Sequence, residues 1–408
     1  MNRHERRSMD ENPASSQPQS PRAVHVVRCA DYADSLAPAF GRLIGECRLL
    51  EPSAVRGRRV LVKPNMLTDR TPDKAVTTHP SLLRLVIRHL KSSGASVSVG
   101  DSPASAANLR NVLERTGIGD VCREEEVPFV SFEQAGACSM EANGFSFTLA
   151  RPVAEADLVV SIPKVKSHAL TKLTAAVKNL YGAVPGYGKT TLHRLHPRPD
   201  DFGRLLKAIW SVLPQTVSIA DAVVGMEGQG PANGRPVDLG FLAASADPFA
   251  LDLALCEILH LDPETVPYLS GETTSHKPEI SGDEVHVDSF SVPVGSYLVG
   301  LVPSCIAKVA TGVLWVRPKI DGSICIGCGK CAKACPVKAL ACAGGGSAPA
   351  LDRGRCVGCA CCHEVCPKGA ITMTPSPVLR FFHVFRGLVS DRDKSDHRTA
   401  RRNCGKFR

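Results

Sequence analysis

Two cysteine runs set the most specific chemistry in this chain. Cys325, Cys328, Cys331 and Cys335 follow a C-x2-C-x2-C-x3-C-P rhythm that ends on Pro336, and Cys356, Cys359, Cys362 and Cys366 repeat it up to Pro367. Three thiolates so spaced can wrap one face of a four-iron cubane, while the fourth cysteine of each run reaches across to the other cluster. The spacing predicts two [4Fe–4S] clusters, one on Cys325, Cys328, Cys331 and Cys366 and the other on Cys356, Cys359, Cys362 and Cys335. Zinc sites usually pair two C-x2-C clips and require neither this rhythm nor its proline. Gly327, Gly329 and Gly358 would let backbone amides approach the sulfurs. Cys342 and Cys361 fall outside the pattern, and Cys361 is read as a small buried side chain beside a cluster rather than a substitute ligand.

The cysteine-rich unit resembles bacterial two-cluster ferredoxins over residues 319–373. The longer body offers titratable side chains instead. Lys63, Lys164, Lys166 and Lys178 would attract carboxylate or phosphate, while Asp101, Asp221, Glu227, His79 and His168 could move protons or hold a metal. Each also has a plain structural reading: His79 caps a helix beginning at Pro80, Lys178 is solvated, Asp221 forms a turn. Lys164, Lys166, His168 and Asp101 are the catalytic candidates, and Lys63, His79, Lys178, Asp221 and Glu227 the substrate-binding ones. Gly225, Gly228, Gly230 and Gly234 form a glycine-rich loop that could offer amides to an anion or be only a surface turn. Residues 183–190 imitate a phosphate loop, but a helix precedes them and Pro185 interrupts them. Nucleotide hydrolysis is therefore disfavoured, with Lys189 and His193 left as possible lid residues.

These groups need a scaffold. Residues 59–62, 96–99, 158–162, 217–220 and 241–244 read as short β-branched or apolar strands, and 80–90, 168–180 and 249–260 as helices. The alternation predicts an α/β fold with a mostly parallel sheet and flanking helices, followed by a small α+β ferredoxin-like unit. Charge follows each strand: Lys63, Asp101, the Lys164–Lys166–His168 set, Asp221 and Asp247. In open parallel sheets the strand C-termini line the crevice where ligands bind, so these residues could share a site, although loops are also charged because they are wet.

Several body segments carry a resemblance: Val60-Leu-Val-Lys63-Pro-Asn65, Thr77-Thr-His79-Pro80, Val99-Gly-Asp101-Ser-Pro103 and Pro163-Lys164-Val-Lys166-Ser-His168. The series continues through Val177-Lys178-Asn179, Ala220-Asp221 and Ala246-Asp247-Pro248. In this order, over residues 60–261, the chain resembles the DUF362 family, often fused to a ferredoxin unit. The resemblance implies an α/β body with a C-terminal [4Fe–4S] unit and gives no substrate.

Composition sets the outer limits. The 408 residues include 17 cysteines, an odd number, and hydrophobic residues reach 43%, which excludes a secreted disulfide scaffold and a wholly disordered chain. Lysine and arginine exceed the acids by 9, but six of those charges fall in residues 380–408, leaving a near-neutral body without a nucleic-acid surface. The expected division is a disordered start (1–21), the α/β body (22–318), the iron–sulfur unit (319–374) and a basic tail (375–408). The polar start lacks a signal-peptide core and 291–316 is broken by prolines, so a cytoplasmic protein is expected. Residues 378–389 are apolar with flanking arginines and could touch an anionic membrane, although packing on the body is favoured. Three functional readings stay open: a redox protein passing electrons between clusters and a substrate, partner or cofactor at the body; a carrier or assembly factor that docks partners; and a redox-independent enzyme with structural clusters. The expected partners are a redox protein or a small anionic substrate.

Overall fold

A computed structural model describes residues 20–104, 107–293, 295, 313–342 and 346–381. The expected disordered start, most of the segment 291–316 and the tail beyond 381, with the membrane contact expected there, lie outside them.

The body is built on a ten-stranded sheet. In chain order its strands are β1 (Ala23–Arg28), β2 (Arg59–Pro64), β3 (Ser96–Asp101) and β4 (Phe129–Ser131). A separate hairpin, β5 (Ala137–Ala142) and β6 (Phe145–Ala150), intervenes. The sheet resumes with β7 (Leu158–Ile162), β8 (Lys164–His168), β9 (Lys172–Thr174), β10 (Thr216–Glu227), β11 (Arg235–Ser245) and β12 (Glu279–Gly282). The order is β12-β1-β11-β10-β7-β2-β3-β4, with β8 attached beside β10 and β9 beside β8. Strands β10, β7, β2, β3 and β4 run parallel, so the expected mostly parallel α/β sheet is present. Buried strands such as β7, with all five residues inside, reflect apolar cores on both faces.

Local sequence explains the better-formed elements. In the helix Pro80–Ser92, Leu82, Leu83, Val86, Ile87 and Leu90 repeat at helical spacing and are all buried. Burying each contributes about 1.5–3 kcal/mol. The imidazole of His79 caps this helix by accepting from the Ser81 N–H (3.2 Å), as its structural reading required.

Two expectations need correction. Residues 168–180 do not form one helix: they form the end of β8, a turn, β9 and the short helix Ala176–Leu180. Their apolar period of three to four suits a helix, but pairing of β8 with β10 and β9 overrides it, and Lys172 adopts a left-handed φ of 65° at the turn. The strand around 241–244 runs antiparallel to β10, so Asp247 emerges at the opposite end from the other charged loops. There it caps the helix Pro248–Ile258 and pairs with His276 at 2.6 Å.

The cysteine-rich unit contains the antiparallel pairs β13 (Val316–Ile320) with β16 (Ile371–Pro375) and β14 (Leu340–Ala341) with β15 (Ala350–Leu351). Two short helices, Lys330–Ala334 and Cys361–Glu364, lie between them. Among the described residues no helix is long and apolar enough to cross a membrane.

Candidate functional site

Strands β2 and β3 end side by side and deliver Lys63 and Asp101, which form an ion pair at 2.7 Å with both side chains buried. The Met66 N–H donates to the second Asp101 oxygen at 2.8 Å. Gly182 packs directly against this pair, and a Cβ there would collide with both charged ends. Strand β8 adds Lys166 and His168 from alternate positions. The Lys166 ammonium donates to the Val76 carbonyl at 2.6 Å. His168 Nδ1 accepts from the Leu170 N–H at 3.0 Å, which puts its proton on Nε2, 3.2 Å from a Glu364 oxygen.

The helix Ala176–Leu180 supplies Lys178, whose ammonium lies 4.8 Å above the Tyr181 ring and 5.5 Å from that of Phe202. Asp252 fixes the start of this helix by accepting from the Ala176 and Val177 N–H groups at 2.7 and 3.0 Å. Lys189, from the helix Tyr187–Leu195, donates to Ser102 Oγ and the Pro103 carbonyl, each at 2.8 Å. All these lysines line one cavity of about 750 Å³ with Asp101, His168, Tyr181, His193 and Glu364.

Burial governs the charges there. Desolvation, together with repulsion from Lys178 and Lys164, pulls Lys166 down to about 7. It also pulls Lys189 to about 8, against the attraction of Asp101 and Glu133. Burial lowers Lys63 and Lys178 as well, and brings His168 to about 4 and His193 to about 3, so both imidazoles are neutral at pH 7. For Glu364 burial acts in the raising direction, but the His168 hydrogen bond and nearby cations outweigh it and hold the carboxyl far below its usual range.

A second polar cluster stands apart. Lys164 and Asp221 pair at 2.7 Å; the Tyr32 hydroxyl donates to Asp221 at 2.6 Å and accepts from Lys164 at 2.6 Å. The His79 N–H donates to the other Asp221 oxygen at 2.8 Å, and the His79 ring stacks on Tyr32 at 3.6 Å. Glu227 binds Arg235 and the Ser291 N–H. Lys164, Asp221, His79 and Glu227 do not line the cavity; among the expected body residues, Lys63, Asp101, Lys166, His168 and Lys178 do. The sequence reading overlooked Glu364 and Ser102 and gave Lys189 and His193 only as lid candidates. Glu364 was hidden by its position between Cys362 and Cys366.

In the cysteine-rich unit, Cys325, Cys328, Cys331 and Cys366 line one cavity of about 380 Å³. Cys335, Cys356, Cys359 and Cys362 line another of about 320 Å³. Backbone N–H groups of Gly327, Ala339 and Ala370 point at the sulfurs of Cys325, Cys335 and Cys366 at 3.5, 3.1 and 3.3 Å. Gly358 has a φ of 70°, and a Cβ there would press on the Val316 carbonyl at 2.7 Å. Four cysteine sulfurs per cavity, amide donors and close-approach glycines suit an iron–sulfur cluster.

The two units meet at the helix Cys361–Glu364. Asn233 donates to the His363 carbonyl at 2.9 Å, and the His363 ring nitrogens lie 2.6 Å from the Ile371 carbonyl and 3.1 Å from that of Gly230. Cys361, Glu364 and Val365 thereby form one wall of the lysine-lined cavity. Cys361 is buried, in keeping with the sequence reading, and its side chain faces the body rather than either cysteine-lined cavity.

Comparison with known proteins fits this architecture. Residues 60–257 match the family described as "Domain of unknown function (DUF362)", and residues 318–373 match a 4Fe-4S dicluster domain. The chain is 35% identical over 256 residues to the thylakoid-associated protein sll1697 of Synechocystis, covering 60% of this chain and 79% of that one. Among solved structures, it is similar to the lactate racemase apoprotein of Thermoanaerobacterium thermosaccharolyticum, with 16% identity and a TM-score of 0.38 over 60% of this chain. A protein of Thermotoga maritima gives 13% identity and a TM-score of 0.33 over 51% of this chain. The chain spans 58% and 55% of those two structures. The match in order and extent to sll1697, together with the two family matches, means that this chain belongs to the DUF362 family and carries a C-terminal 4Fe-4S dicluster domain.

Proposed function

We propose that the chain relays single electrons between two [4Fe–4S] clusters and a ligand held in the lysine-lined cavity. Cys325, Cys328, Cys331 and Cys366 would hold one cluster and Cys356, Cys359, Cys362 and Cys335 the other. When bound, the clusters supply one-electron redox chemistry. The single observation that carries the reading is the shared wall: Cys361 and Val365 line the cavity and are the chain neighbours of Cys362 and Cys366.

The body residues have separable tasks. Lys63, held by Asp101, and Lys178, held over Tyr181, bind and orient. Lys166, with a pKa of about 7, can hold or release a proton at its Nζ near neutral pH. His168, with its Nε2 3.2 Å from Glu364, joins the body to the wall. On the outer side, Ile324 and Ile326 are 46% and 54% exposed beside Cys325 and Cys328, a surface suited to a redox partner protein. A cytoplasmic setting would keep these thiols reduced, and no described cysteine is in a disulfide.

Anaerobic purification with iron and sulfide analysis tests the first step. About eight irons per chain are expected from two four-iron clusters. A reproducible value near four would sink the pair. Dithionite-reduced protein should then be reoxidised by a ligand of the cavity, and the rate should fall in Lys178→Met.

A further inference from the structure

The cavity between the body and the cysteine-rich unit contains more positive charge than its own residues balance. Four lysines line it, Lys63, Lys166, Lys178 and Lys189, against two carboxylates, Asp101 and Glu364, which leaves an excess of two positive charges when the lysines are protonated. Asp101 is already engaged by Lys63 and the Met66 N–H, and Glu364 has the His168 Nε2 at 3.2 Å. Lys166 and Lys189 meet only neutral oxygens, and Lys178 meets the faces of two aromatic rings. Further polar atoms of lining residues stand unpaired: His193 Nδ1, Thr174 Oγ1 and Asn65 Oδ1 have no hydrogen-bond partner among the described residues. His193 and Thr174 are 4% and 5% exposed, so bulk water does not satisfy them. Buried polar atoms of this kind usually have partners.

We propose that this cavity binds a small dianion, a tetrahedral oxyanion or a dicarboxylate, through Lys166, Lys178 and Lys189. The inference deepens the relay reading by naming the charge class of the ligand at the same site. A dianion supplies the two missing charges and acceptor oxygens for three ammonium groups. A monoanion leaves one cavity lysine uncompensated, and a neutral ligand leaves two.

Proton linkage gives the site an independent signature. Lys166 is surrounded by Lys178 from the helix, Lys164 from its own strand, Glu364 from the cysteine-rich unit and Asp101 from β3. In that setting its ammonium is disfavoured until an anion arrives. Binding therefore raises the Lys166 pKa and takes up protons, and affinity declines as pH rises from 7 to 9.

The test uses the oxidised, cluster-loaded full chain and calorimetry with sulfate, succinate, acetate and chloride at fixed ionic strength. Sulfate or succinate should bind at one site at least about tenfold more tightly than acetate or chloride, since one more charge pairs with a cavity lysine. Proton uptake should appear as a dependence of the measured heat on buffer. Lys178→Met should weaken dianion binding at least about tenfold, while Lys207→Met, outside the cavity, leaves it unchanged. Equal binding of monoanions and dianions, no saturable binding, or an unaltered Lys178→Met variant overturns the proposal. If Lys178→Met does not fold, the wild-type preference for two charges over one decides alone. Failure of the two readings is distinguishable: dianion binding without cluster reoxidation removes the relay and keeps the site, whereas reoxidation by a neutral compound does the reverse.

Discussion

Two lysine–aspartate pairs occupy the same side of the sheet, each at 2.7 Å and each almost fully buried, yet their surroundings differ. Lys164–Asp221 is saturated: Tyr32, the Val224 carbonyl and the His79 N–H complete its hydrogen bonds, and the stacked Tyr32 and His79 rings lie over it. Lys63–Asp101 has fewer partners and opens onto a cavity with three further lysines. The lesson is that charge at strand ends does not define a site. What lies over the charge does: aromatic rings in one case, the cysteine-rich unit in the other. The first pair joins the N-terminal segment to the sheet, and the second leaves room for a ligand.

The largest effect should come from breaking the saturated pair. Asp221→Ala leaves Lys164 buried without its counter-ion, and removing one partner of a buried pair costs about 3–5 kcal/mol. Urea unfolding should show that loss, while the protein that remains folded still binds sulfate. Loss of sulfate binding with unchanged stability would erase the distinction between the two regions.

Next comes pH, acting on the cavity side. Lys166 has a folded-state pKa of about 7, below its unfolded value, so between those values the unfolded chain binds more protons and stability rises with pH. From pH 7 to 9 the wild type should gain up to about 1.4 kcal/mol per pH unit relative to Lys166→Met. Saturating sulfate should flatten that difference. Parallel stability curves for the two proteins would mean that Lys166 carries no burial penalty.

The smallest effect is expected at His79. His79→Ala removes the helix cap to Ser81 and the stack on Tyr32 and should cost about 1–2 kcal/mol. Iron content and sulfate binding should match the wild type. A change in sulfate affinity would show that the sealed cluster communicates with the cavity.

These contrasts also explain what was legible in the sequence. The cysteine runs could be read directly because cluster ligands are spaced by local geometry, and the same quartets line the two cavities. Lys63, Asp101, Lys166 and His168 could be found because parallel strands bring their ends together. The same rule also selected Lys164 and Asp221, whose cover of Tyr32 comes from 189 residues away from Asp221 in the chain. Asp247 misled because strand direction is not written in a short apolar run. Residues 168–180 misled because two strands and a short helix shared a helical spacing. Lys189, His193 and Glu364 join the site only through packing between distant segments, which periodicity does not encode.

The contact at His363 gives the wall a history as well as a position. In small metal-binding units, metal binding and folding draw on the same free energy. Glu364 lies between Cys362 and Cys366, and His363 fastens that helix to the Gly230 carbonyl. If the two quartets hold the proposed clusters, folding of this wall and cluster loading would therefore be coupled. On the proposed two-cluster reading, cluster loading would serve as a maturation step, and metal-free chains would have the chamber less firmly closed on that side.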